Sequence, residues 1–248
     1  MTRIEKRQVA ATQLHSQDMR LYRWVRRILV PLFGLLFRPL IIGSENVPQE
    51  GAAVITANHR SFWDSAFQAF ATERPIRWMG KSELFQNPIL GRLFVHLGAF
   101  PVRRGQSDGG AIDTAKQLLD AGELVALFPE GTRVREGLGQ PKRGATRLAI
   151  EAGVPTIPMS IVGTERGELR RALWRRGAYV RVIVHEPVQP PSQIDDGGTQ
   201  AGKLMGRVWP QIQSGVEGLE KNRKQALAAG VGAALLTGIG LSYRRRRK

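Results

Sequence analysis

From residue 42 onward the chain alternates short, continuously apolar runs with stretches of helical period, each bounded by Gly or Pro. Residues 52–57, 76–79, 99–102, 123–128, 156–162 and 179–184 are runs of this kind and predict buried strands. Residues 61–71, 87–97, 109–121 and 144–152 carry the helical spacing between them. Strands that are apolar along their whole length, alternating with helices, predict an α/β fold. The expected domain is single, with a largely parallel central sheet flanked by helices. Residues 190–198 read as a turn-rich linker and residues 200–224 as a surface helix.

The two ends follow a different pattern. Leu21, Trp24, Val25, Ile28 and Leu32 recur at i, i+3, i+4, i+7 and i+11, while Arg20, Arg23 and Arg27 hold another face. Pro31 interrupts this stretch, and a second apolar run, residues 32–37, closes at Arg38-Pro39. The expectation is two short basic amphipathic helices associated with a membrane, each too short to span it. Residues 226–243 carry no charge and precede a run of four Arg and one Lys. As a helix they would extend about 27 Å, which leaves a transmembrane and a peripheral helix both open. The resulting division is membrane-associating helices over 1–43, an α/β domain over 44–190, a linker and surface helix over 191–224, and an apolar helix with a basic tail over 225–248.

Charge sharpens this division. Lys and Arg number 37 against 21 Asp and Glu, a formal net charge of +16. Residues 1–43 and 244–248 carry most of that excess. Cations mixed with apolar helical residues at the ends point to an anionic membrane surface rather than to nucleic acid. The expected location is the cytoplasmic face of the cell membrane. There is no cysteine, which excludes disulfides, thiolate metal sites and a thiol nucleophile. None of the four His residues pairs with another at metal-ligand spacing, so no metal is expected.

Three segments place polar chemistry at strand ends, where α/β sheets assemble their sites. In Asn58-His59-Arg60-Ser61-Phe62-Trp63-Asp64, the spacing lets the Asp64 carboxylate bend back onto the His59 ring and fix its tautomer. The same Ser61-x-x-Asp64 spacing also fits a helix cap, and the two readings stay open side by side. In Phe128-Pro129-Glu130-Gly131-Thr132-Arg133, a glycine turn presents amides and Arg133 offers a fork for phosphate or carboxylate, although an ordinary turn also fits. Phe100-Pro101-Val102-Arg103-Arg104 repeats the strand-then-cation layout. The G-x-S-x-G pattern over residues 105–109 follows two arginines rather than an apolar strand, so it reads as a turn.

These blocks resemble those of the glycerolipid acyltransferases, specifically the lysophosphatidate (1-acyl-sn-glycerol-3-phosphate) acyltransferase family. His59 and Asp64 match its H-x4-D motif, and residues 128–133 match its FPEGTR block. Residues 100–104 and 154–158 resemble its second and fourth blocks, in order and spacing across residues 44–190. The resemblance implies transfer of a fatty acyl group from acyl-CoA or acyl carrier protein to the sn-2 hydroxyl of the lysophospholipid acceptor, giving phosphatidic acid. The donor is a substrate, and no cofactor is implied. His59 would be the general base and Asp64 its orienter. Arg133 would bind the acceptor phosphate with Lys81, Arg103 and Arg104 nearby, while Glu130, Gly131 and Thr132 shape that pocket. Pro158 would border the acyl chain. The alternatives are the same chemistry on another lysophospholipid or an amino-lipid, or a non-enzymatic binder of anionic lipid or nucleic acid.

Overall fold

A computed structural model describes residues 1–15, 18–103, 108–165, 180–191 and 197–228, with no side-chain description of 197–198 and 226–228. The elements run α1 (Arg3–Gln13), α2 (Arg20–Phe37), β1 (Leu40–Ile42), β2 (Ala53–Ala57), α3 (Asp64–Gln68), β3 (Ile76–Lys81), α4 (Pro88–His96), β4 (Ala99–Val102), α5 (Gly109–Asp120), β5 (Leu124–Leu127), α6 (Gly144–Glu151), β6 (Thr156–Val162), β7 (Arg181–Val184) and α7 (Gly197–Ala228). The seven strands form one sheet in the order β1-β7-β6-β2-β5-β3-β4. All pairs are parallel except β6 with β7, so β1 and β7 run against the other five.

The sheet is buried on both faces, which explains strands without polar alternation. Ala53, Ile55 and Ala57 of β2 pack with Phe33 and Phe37 of α2 and Phe67 of α3. Val54, on the opposite face, packs with Leu118 of α5, Leu148 of α6 and Val208 of α7. The chain leaves β2 for β3 and β4, returns through β5 on one side of β2, and continues to β6 on the other. This reversal opens a crevice above the C-terminal end of β2.

Two expectations change. Residues 20–37 form one helix, not two, with Pro31 inside it. Proline removes one backbone hydrogen bond, but Phe33 and Phe37 beyond it are buried against Trp63, Phe67 and Phe70, and this packing holds the last turns in line. The apolar stripe marked by spacing faces outward, and a second stripe is buried. Trp24, Ile28 and Leu32 are 61 %, 44 % and 45 % exposed, whereas Tyr22, Phe33 and Phe37 are buried. Both stripes are apolar, and the buried one is the one whose rings meet Trp63, Phe67, Phe70 and Trp78. Finally, the N-terminal segment and the helix after the linker are not separate from the domain. β1 lies within residues 1–43, and α7 buries Leu204, Val208, Ile212, Val216 and Leu219 against the sheet.

The short helix α1 has no counterpart in the apolar pattern. Its start is nevertheless written in a capping box, with Thr2 and Glu5 bonding each other's backbone amides. Among the described residues no helix is long and apolar enough to cross a membrane. The apolar run expected over 226–243 lies, beyond Ala228, outside the described residues, as does the basic tail.

Candidate active site

Asn58 fixes the point where β2 ends. Its side chain donates to the Ile161 carbonyl (2.8 Å) and accepts from the Ile161 amide (2.8 Å), adding one rung to the β2–β6 ladder from a side chain. His59 follows at the crevice. Its Nδ1 donates to Asp64 Oδ2 at 2.9 Å, because an ionised carboxylate can only accept. The backbone amides of Arg60 and Ser61 donate to the same oxygen, each at 2.7 Å. Thr164, just beyond β6, donates to Oδ1 at 2.5 Å. Asp64 is fully buried and accepts four hydrogen bonds, so it stays in place without help from a ligand. One carboxylate thus ties down the loop amides and orients the ring, while the N-cap of α3, Trp63, makes no side-chain cap bond.

This arrangement leaves Nε2 of His59 as the unprotonated nitrogen. No described residue bonds it. The ring lies flat on Phe128, with centroids 3.9 Å apart and planes 13° apart, and its side chain is 9 % exposed. One edge of the ring is thus anchored, one face is covered, and the remaining edge offers a lone pair. The arrangement can accept a proton from a hydroxyl delivered to that edge.

Glu130 supports His59 from behind. One of its carboxylate oxygens accepts from the His59 amide (3.3 Å) and the other from the Gly139 amide (3.2 Å). Burial pushes its carboxyl above the ordinary value, partly offset by those two amides. It shapes the pocket by holding backbone and is not placed to contact a ligand. Gly131 turns with φ +71°, a conformation glycine adopts at no cost, and a Cβ there would meet Lys142 Nζ at 3.1 Å. The next loop residues, Thr132 and Arg133, are exposed. The Val134 amide donates to the His59 carbonyl at 2.8 Å, which docks the Arg133 segment directly on the histidine.

Lys81 ends β3 and Arg103 follows β4, at the same end of the sheet as His59. Lys81 pairs with Glu83 at 2.9 Å, and Arg103 pairs with Asp108 at 3.4 Å; each cation is about half exposed. Arg104 lies outside the described residues, as do residues 105–107 of the G-x-S-x-G pattern. Pro158 is buried in the middle of β6 opposite Thr56, away from the strand ends. Spacing did not reveal Thr164, Phe128 as the ring's platform, Lys142, or Arg60. The Arg60 guanidinium is buried and joins Glu165 (3.1 Å), Glu220 of α7 (2.5 Å) and the Gly137 carbonyl (2.9 Å). Only the strand-end position of Phe128 was a usable signal; the other contacts join residues far apart in the chain.

A sequence model of the acyltransferase family matches residues 38–162, from just before β1 to the end of β6. This chain belongs to the acyltransferase family. The acyltransferase is 31 % identical over 170 residues to a 1-acyl-sn-glycerol-3-phosphate acyltransferase of Bacillus subtilis, covering 68 % of this chain and 82 % of that one. It is 33 % identical over 156 residues to a chloroplastic enzyme of the same name in Arabidopsis thaliana, covering 60 % of this chain but only 43 % of the plant protein. Its fold matches the crystal structure of the 1-acyl-sn-glycerophosphate acyltransferase of Thermotoga maritima, with a TM-score of 0.61 and 23 % identity. That match covers 82 % of this chain and 80 % of the other.

Proposed function

We propose that this acyltransferase moves a fatty acyl group from a thioester donor, acyl-CoA or acyl carrier protein, to the sn-2 hydroxyl of 1-acyl-glycerol-3-phosphate, giving phosphatidic acid. The observation that carries this reading is His59, held through Nδ1 by a saturated Asp64 and open at Nε2, at an end of the sheet that also carries Lys81, Arg103 and Arg133. The names of the Bacillus and Arabidopsis relatives support the choice of acceptor.

Nε2 takes the proton of the acceptor hydroxyl as its oxygen attacks the thioester carbon. A C–O bond forms, the tetrahedral intermediate collapses, and the C–S bond breaks. The imidazolium returns its proton to the departing sulfur. Asp64 keeps the Nδ1 proton in place throughout and favours the imidazolium. A thioester is already activated, so no covalent enzyme intermediate is required. Arg133, Lys81 and Arg103 attract the acceptor phosphate, and Arg133 suits it best because a guanidinium can bond two oxygens at once.

The exposed stripe of Trp24, Ile28, Leu32 and Leu35 on α2 runs beside Arg20, Arg23 and Arg27. In this reading it seats the protein on an anionic membrane surface, where the acceptor resides. The test is release of free thiol from acyl-CoA in the presence of lysophosphatidate. Wild type should turn over, and His59→Ala should lose about 10³-fold while keeping its melting temperature. Retained activity in that variant would overturn the mechanism.

A further inference from the structure

The active-site reading leaves one cluster of cations unused. Helix α1 lies along the far edge of the sheet, tied there by Gln8, which donates to the Pro101 carbonyl of β4 at 3.1 Å. Between α1 and α4 is an open cavity of about 550 Å³ lined by Arg3, Lys6, Arg7, Pro88, Ile89 and Arg92. Four of the six lining residues are cations and none is an acid. Arg3, Lys6 and Arg7 fall at i, i+3 and i+4 on one face of α1, where like charges repel. Arg3 and Arg7 are held inward by bonds to the carbonyls of Gln86 (2.5 Å) and Pro88 (2.8 Å). Lys6 and Arg92 are exposed and have no partner among the described residues. Glu5, the acid of α1, is engaged at the helix start by Thr2. A fold that concentrates cations without neutralising them leaves a site for a polyanion.

We propose that this cleft binds the phosphate-rich nucleotide end of a coenzyme A thioester. This rests on the reading of the protein as a thioester-dependent acyltransferase. Three features favour a nucleotide over other polyanions. The site is concave and of small-ligand size. Its cations surround an apolar wall, Pro88 and Ile89, on which a base can lie. Its position also fits the donor's length. β4 lies three strand spacings from β2, about 14 Å from the line of His59, and the cleft is just beyond. A pantetheine arm has the reach of about four extended residues, roughly 14 Å, and the pyrophosphate extends it further. The thiol end then reaches His59 while the nucleotide stays at α1 and α4.

The experiment uses the full-length protein and the double variant Lys6→Gln/Arg92→Gln, whose exposed side chains leave the packing untouched. Titration with adenosine 3′,5′-bisphosphate should show binding to wild type, weakened about tenfold in the variant. The ratio of kcat/KM for a long-chain acyl-CoA to that for the same acyl group on N-acetylcysteamine should fall by a similar factor. Equal nucleotide affinity in the two proteins, or an unchanged ratio, overturns the proposal. So does a variant that loses only its binding to phosphatidylglycerol vesicles, because the cations then serve lipid headgroups. If wild type transfers from no thioester to lysophosphatidate, the functional reading fails. The nucleotide titration still decides the cleft.

Discussion

Two histidines in this fold each bond a small polar side chain, and the partner decides what the ring can do. His59 meets a carboxylate. Its Nδ1 proton is held by Asp64, and no described residue bonds its other nitrogen. His185, just after β7, meets a hydroxyl. Its Nε2 lies 2.8 Å from Ser160 Oγ, and that hydroxyl spends its own proton on the Ile212 carbonyl of α7. Ser160 can therefore only accept from the ring, so Nε2 of His185 is the protonated nitrogen. Burial alone lowers the His185 pKa to about 4. In the proposed mechanism a carboxylate partner supports a ring that gains charge during turnover. A hydroxyl partner under a helix keeps the ring neutral and makes it a clip between β6, β7 and α7.

The largest test of this contrast is Asp64→Asn. The variant keeps an acceptor for the two loop amides but cannot stabilise an imidazolium. Its kcat should fall by about 10²–10⁴-fold with the fold retained, as measured by thiol release and circular dichroism. Equal activity would mean that Asp64 only holds the loop of Arg60 and Ser61.

Acid should expose the other histidine. Folded His185 takes its proton near pH 4, whereas the unfolded ring takes it near 6.5. Between these values the unfolded chain binds more protons, so stability present above pH 6.5 is lost as pH falls towards 4. The loss from this one group approaches about 3 kcal/mol at the acid end. Burial raises the Glu130 carboxyl, which acts in the opposite direction as its own range is crossed. The difference between wild type and His185→Gln in urea titrations isolates the histidine. Equal pH slopes in the two proteins would show that His185 does not carry this loss.

Gly215→Ala presses on the same clip sterically. A Cβ there would stand 2.3 Å from Ser160 Oγ and 2.8 Å from His185 Nε2. Stability should fall by about 2 kcal/mol, with a lower melting temperature and unchanged turnover per folded molecule. A loss of kcat at full folding would show that the clip and the site are coupled.

The smallest effect is expected from Thr164→Val, which removes the donor to Asp64 Oδ1 and leaves that oxygen unpaired. About a tenfold loss in kcat should follow, with a modest loss of stability. Stability loss without a rate change would demote Thr164 to packing.

The sequence carried the local half of this picture. His59 and Asp64 are five residues apart, and the strands β2, β4, β5 and β6 were readable because continuous apolar runs predict burial on both faces. The parts that were not readable depend on distant partners. Thr164 is 100 residues from Asp64, and Glu220 is 160 residues from Arg60. Which face of α2 the core takes was unreadable for a similar reason. Spacing detects an apolar stripe but not which of two stripes finds aromatic partners, and Phe67 and Phe70 come thirty residues later. Helix α1 went unread because its buried positions, Gln8 and Ala11, are not strongly apolar.

Helix α2 places Phe33 and Phe37 against Phe67, in the helix that opens with Asp64, and turns Trp24, Ile28, Leu32 and Leu35 outward. The side that would sit among lipids and the side that would support the proposed base therefore share one helix. The depth of the reacting nitrogen below or above the headgroups is then set by the thickness of a single helix rather than by a flexible tether. An acceptor held in the same plane is sampled in two dimensions. Turnover should follow the mole fraction of lysolipid in the surface and stay constant when inert lipid and acceptor are increased together.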